Sequence, residues 1–178
     1  RTLTLNSGTE SNITITRAVG NSQPLAGLTI TQSDGTSFGN TVNVTDSNSG
    51  TITLTDTEDN KGIVFSGNVT ADNFVTTAQG YDITFSGGGG GTFANAVTFQ
   101  NTGDLSFGTP VVSGGTFTFN GGVTENTSGT VTINGTILSS NDAITFGAIT
   151  IGSNNAIIDT NATNTDGDIT IGAVTGGN

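Results

Sequence analysis

Thirteen short triplets of apolar, polar, apolar residues run from one end of this chain to the other. They are Leu3-Thr-Leu5, Ile13-Thr-Ile15, Leu28-Thr-Ile30, Val42-Asn-Val44, Ile52-Thr-Leu54, Ile83-Thr-Phe85 and Val97-Thr-Phe99 in the first part. Leu105-Ser-Phe107, Phe117-Thr-Phe119, Val131-Thr-Ile133, Ile144-Thr-Phe146, Ile149-Thr-Ile151 and Ile169-Thr-Ile171 continue the series. Strict alternation in β-branched and aromatic residues is the mark of a half-buried strand, with the apolar positions facing in and the threonines facing water. No stretch carries the i, i+3, i+4 apolar spacing of a helix, so helix content is expected near zero.

Between the triplets stand turn-formers such as Asn6-Ser-Gly8, Ser33-Asp-Gly35, Asn120-Gly-Gly122 and Thr165-Asp-Gly167, whose Gly, Asn and Asp tolerate positive φ. In the second half, strand starts near 105, 117, 131, 144, 157 and 169 recur about every 12 to 14 residues. The clearest unit is a strand, a glycine corner and a second short apolar element, as in Thr118-Phe-Asn-Gly-Gly-Val123 and Thr145-Phe-Gly-Ala-Ile149. Two units make a coil of roughly 24 to 26 residues, and stacked coils make a repeat architecture in which each coil touches only its neighbours. The expected fold is therefore all-β: a right-handed parallel β-helix, or β-solenoid, of roughly seven coils with open ends. A β-sandwich is the rival, but a sandwich has no reason to repeat its turn chemistry. The interval from 64 to 83, holding Asp72-Asn-Phe74, is expected to carry a loop insertion, and Gly87 to Gly91 a flexible, unpacked bulge. Neither end shows the polar cap a terminal coil needs, so residues 1-178 are expected to be a single solenoid segment of a longer array.

Composition narrows the function classes. Only 10% of residues are charged, so solubility rests on Thr, Asn and Ser. Arg1, Arg17 and Lys61 face fourteen acidic residues, a net charge of −11 that opposes binding to nucleic acid or anionic lipid. Cysteine and histidine are absent, which removes disulfides, thiolate metal sites and imidazole catalysis. No apolar run is long enough for a membrane-spanning helix, so this segment is not expected to insert into a membrane.

The second half, particularly Ala143-Ile-Thr-Phe-Gly-Ala-Ile-Thr-Ile-Gly-Ser-Asn-Asn155 and Gly167-Asp-Ile-Thr-Ile-Gly-Ala-Val-Thr175, resembles the interior repeats of filamentous-haemagglutinin-like and autotransporter-passenger bacterial surface proteins. The resemblance spans about residues 62 to 178. It implies a secreted β-helix at the bacterial cell surface, extracellular, serving adhesion, biofilm formation or surface coating. Expected partners are a host or abiotic surface, glycans, or further copies of the chain in a homopolymer.

The one dense group of acid-base side chains is Asp56-Thr-Glu-Asp59. Adjacent turn carboxylates do not provide the fixed separation that glycoside hydrolysis requires, so no enzyme activity and no catalytic residue are expected. A carbohydrate-active β-helix enzyme is the alternative reading. Asp56, Glu58, Asp59 and Asn60 are the candidate calcium ligands, since hard cations take several oxygens and the spacing copies the opening positions of an EF-hand loop. Lys61 stands where that loop needs glycine, and no organic cofactor is implied. Asn164, Asp166 and Asp168 form a weaker oxygen cluster.

Threonine pairs such as Thr2/Thr4, Thr14/Thr16, Thr29/Thr31, Thr51/Thr53/Thr55, Thr116/Thr118 and Thr130/Thr132 raise an ice-binding alternative. Against it stand the preference of exposed strands for threonine and the uneven spacing of the rungs. Phe85, Phe99, Phe107, Phe117, Phe119 and Phe146 share the inward parity of the aliphatic residues and are expected to stack in the core, with Tyr81 turning a polar tip outward. Six Asn-x-Ser/Thr sequons are no more than chance supplies in a chain so rich in Asn, Ser and Thr.

Overall fold

The computed structural model describes residues 1–109, 112–113, 115–125, 129–161 and 166–177. Asn126 and Asn164 lie outside the described residues. The chain winds as a β-solenoid with three parallel faces. Face A carries β1 (Thr2–Asn6), β3 (Gly27–Gln32), β6 (Thr51–Leu54), β9 (Asn73–Thr76), β12 (Val97–Phe99) and β16 (Val123–Glu125). Face B carries β2 (Asn12–Ile15), β4 (Gly35–Phe38), β7 (Gly62–Phe65), β10 (Asp82–Phe85), β13 (Leu105–Thr109) and β17 (Val131–Ile133). The long strands β19 (Ile144–Ile151) and β21 (Ile169–Gly176) turn the corner within one element, contributing their first halves to face A and their second halves to face B.

Face C is the separate sheet of β5 (Val42–Val44), β8 (Val69–Ala71), β11 (Gly91–Phe93), β15 (Thr116–Phe119), β18 (Thr136–Ser139) and β20 (Ile157–Asp159), begun by a bridge from Val19 to Val42. Seven coils run through all three faces, and β21 adds an eighth rung to faces A and B. The sole antiparallel pairing in the described residues joins β13 to β14 (Val112–Ser113), and the sole helical element is a 3-10 turn at Asp46–Asn48.

All thirteen triplets lie in strands. Coils vary in length, 26 residues from Val97 to Val123 but 21 from Val123 to Ile144, yet those residues pair directly. Corners absorb the difference, and the strands stay in register because a one-residue slip would turn the whole inward set to water. The interval from 64 to 83 holds no insertion. It contains β8 and β9, the last face of one coil and the first of the next. Their alternation is masked because Ala71 is small and Val75 is an apolar residue facing out, 44% exposed.

Inward residues from all three faces form one cluster. Its spine on face B is a column of stacked rings, Phe38 on Phe65 at 5.0 Å, Phe65 on Phe85 at 5.3 Å and Phe85 on Phe107 at 5.6 Å, with interplanar angles of 3°, 16° and 6°. Phe93 stacks on Phe119 across face C at 4.9 Å. Each buried ring stabilises the fold by about 1.5–3 kcal/mol through burial, with a further ~1 kcal/mol for a well-placed aromatic pair.

The run Gly87 to Gly91 is a packed corner, contrary to the unpacked bulge expected from its composition. A Cβ on Gly87 would collide with the Ser66 carbonyl, one on Gly89 with the Asn68 amide, and one on Gly90 with the Thr116 carbonyl. Gly90 has φ +79°, and Gly91 opens β11. Side-chain-free residues are needed here because the neighbouring coils press on both sides. Tyr81 is likewise fully buried and does not point outward. Its hydroxyl donates to the Leu54 carbonyl at 2.8 Å and accepts from the Thr77 amide at 3.0 Å, tying two coils together. Burial pushes the phenol above its usual range, against smaller opposing effects from Thr77.

Candidate binding surface

The described surface offers uniform faces and shallow troughs. One trough, about 450 Å³, lies open on face B and is lined by Asn12, Asp34, Thr36, Ser37, Lys61 and Val64 among others. At its rim the Lys61 ammonium lies 3.3 Å from Asp34. Glu58 shares a hydrogen bond with Asp34, which holds Asp34 below the usual carboxylate range and raises Glu58 above it; Lys61 adds to the first effect and opposes the second.

The four candidate calcium ligands are drawn to different neighbours. Asp56 accepts from the Gln32 side chain at 3.3 Å, and Glu58 turns to Asp34, both in the preceding coil. Asp59 packs against Gly80 in the following coil, and the Asn60 amide donates to the Gly80 carbonyl at 3.1 Å with φ +61°. Among the described residues no group of three or more Asp or Glu is arranged to hold a metal ion. The same corner continues as a ladder in which Asp82 accepts from the Asp104 amide at 2.7 Å and Asp104 from the Thr130 amide at 2.8 Å. These carboxylates cap the backbone of successive coils, a role that sequence spacing of 22 to 26 residues conceals.

The threonine pairs fall on different faces: Thr2/Thr4, Thr29/Thr31 and Thr51/Thr53/Thr55 on A, Thr14/Thr16 and Thr130/Thr132 on B, Thr116/Thr118 on C. What the register builds is a single long row on each of two faces. On face A the central outward residues of successive coils are Thr4, Thr29, Thr53, Val75, Thr98, Thr124, Thr145 and Thr170. On face B they are Thr14, Ser37, Val64, Thr84, Ser106, Thr132, Thr150 and Thr175. Neither row contains a charged residue. Uneven rung spacing in the sequence therefore does not break the array, because the strands meet in register whatever the length of the corner between them.

Among the described strands one inward position is acidic. Glu125, 3% exposed, sits in register between Phe99 and Phe146 on the core side of face A. Alternation alone gives Val123-Thr-Glu125 no reason to bury its carboxylate; pairing with two phenylalanines places it.

The chain is thus a parallel β-solenoid repeat protein. Comparison with known proteins finds no matching family model, no matching curated protein and no matching solved structure.

Proposed function

We propose that this chain is a structural and adhesive segment of a secreted bacterial surface protein, a stiff acidic rod that presents its faces to a host or abiotic surface or to glycans. The observation that carries the reading is the pair of uncharged hydroxyl-bearing rows on faces A and B, which run the length of the solenoid and distribute contact along it. Many weak, equivalent contacts on a rigid scaffold add as an intramolecular series, so attachment strengthens with length and needs no deep pocket. Resemblance of the second half to haemagglutinin-like repeats points the same way.

Self-association along the axis belongs to this reading. Arg1 and Arg17 lie in the first coil, whereas Asp159, Asp166 and Asp168 lie in the last. Coils stack through parallel ladders, so a second copy continuing them head to tail makes a heterologous contact that propagates into a filament.

The test displays the purified chain on beads and measures attachment under flow to glycan-coated and bare mineral surfaces. Attachment above that of beads carrying an unfolded variant is expected, and attachment no greater than that control on every surface overturns the adhesive reading. Sedimentation velocity over a concentration series tests the filament variant, with growth suppressed by salt as its expected signature.

A carbohydrate-active enzyme is the second reading, and one observation favours it: Asp34, Glu58 and Lys61 gather at the open trough on face B, where two carboxylates and a cation meet beside a groove. Turnover of a polysaccharide that disappears in Glu58→Gln would install that reading in place of the adhesive one.

A further inference from the structure

The central outward row of face A is more uniform than strand chemistry alone requires. Seven of its eight positions are threonine, and the eighth, Val75, has the same branched shape with a methyl in place of the hydroxyl. Face B follows the same rule, with valine at Val64 and hydroxyl residues elsewhere in its row. Face C supplies an internal control: its central outward residues read Asn43, Thr70, Thr92, Thr118, Leu138 and Asp159. A neighbouring outward row on face A itself reads Thr2, Gly27, Thr51 and Asn73. Preference of exposed strands for β-branched residues acts on every one of these positions, yet only two rows are uniform. Something that reads the whole row at once accounts for the difference.

A row of this kind repeats a methyl and a hydroxyl at the strand separation of about 4.8 Å along the solenoid axis. Apolar methyl groups order the water over them, and the hydroxyls between them fix that water by hydrogen bonds. Charged side chains orient water radially about themselves and break such order; none lies in the row. The repeat lies close to the oxygen repeat of crystalline water, and direct strand register keeps it constant where coil length changes.

We infer that face A binds ice, its threonine row holding an ordered water layer that merges with the crystal lattice. The inference goes beyond the adhesive reading and is independent of it: a rod that attaches to glycans or mineral without touching ice leaves that reading standing while this one falls.

The experiment measures thermal hysteresis and inhibition of ice recrystallisation by the 178-residue chain. The wild-type chain is expected to show both. Thr98→Tyr and Thr53→Tyr, which raise a bulky side chain from the row, are expected to reduce hysteresis several-fold with an unchanged circular-dichroism spectrum. Thr92→Tyr, in the non-uniform row of face C, is expected to leave it unchanged, and Val75→Thr to increase it. Absence of hysteresis and of recrystallisation inhibition in the wild-type chain overturns the inference, and needs no variant to fold. Equal loss in Thr92→Tyr and Thr98→Tyr, or retention on insoluble polysaccharide without any ice activity, overturns it as well.

Discussion

Replacing Phe85 with alanine strikes the middle of the ring column. Phe85 stacks on Phe65 at 5.3 Å and Phe107 at 5.6 Å, and it also meets Phe117 at 5.3 Å from another face. Removing a fully buried ring from a core that cannot collapse costs about 3–5 kcal/mol. The parallel strands on either side are held by their own ladders, which limits collapse and places the loss near the upper end. Two stacked partners also lose their pair energy, about 0.5–1.5 kcal/mol each beyond burial. Phe85→Leu keeps most of the volume and forfeits chiefly the stacking, so about 1–2 kcal/mol is expected. Phe38→Ala, at the end of the column with one stacked partner, should cost less than Phe85→Ala. Urea unfolding followed by circular dichroism measures the series, with hydrogen exchange reporting whether coils beyond the fourth remain closed, since a solenoid couples only neighbouring coils. A loss below about 1 kcal/mol for Phe85→Ala, against the 3–5 kcal/mol typical of buried rings, would refute the ring column as the spine of the core.

Further predictions follow from single contacts. Gly90→Ala combines φ +79° with collision against the Thr116 carbonyl and should destabilise well beyond Gly8→Ala, where φ is +72° but the added methyl meets open space; paired urea midpoints decide this. Tyr81→Phe leaves the Leu54 carbonyl and Thr77 amide without their buried partner and should cost about 1–3 kcal/mol, while the wild-type phenol should ionise only above its usual range in an ultraviolet titration. For the Asp34–Glu58 pair, lowered Asp34 stabilises once pH exceeds its unfolded value and loses this as pH falls through the depressed folded value. Raised Glu58 stabilises below its unfolded value and loses this as pH rises through the elevated folded value, so the pair contributes most in the ordinary carboxylate range, keeps only the Asp34 share at neutral pH and only the Glu58 share in strong acid. Carboxyl NMR titration should show Glu58 above and Asp34 below the usual range. Lys61→Ala should raise both, because the ammonium favours the charged form of each.

The strands are legible in the residues wherever inside and outside alternate without exception, as at Leu28-Thr-Ile30 or Phe117-Thr-Phe119, and with them the all-β solenoid and its aromatic core. Legibility failed where one position broke the pattern. β4 buries Thr36, which is hydrogen-bonded to Ser33 at 2.9 Å; β7 turns Val64 outward; β11 begins on Gly91. In each case pairing with strands above and below overrides the local pattern, because parallel ladders reward register more than any single side chain costs. The same register decided what no local reading reaches: that outward residues 18 to 27 positions apart form one row on each of two faces, that Asp34 meets Glu58 across coils, and that Gly87 to Gly91 is pressed between neighbours. Strand identity is a property of a few adjacent residues; a surface row belongs to the stack, and its period is the separation of paired strands, which the varying corners leave unchanged.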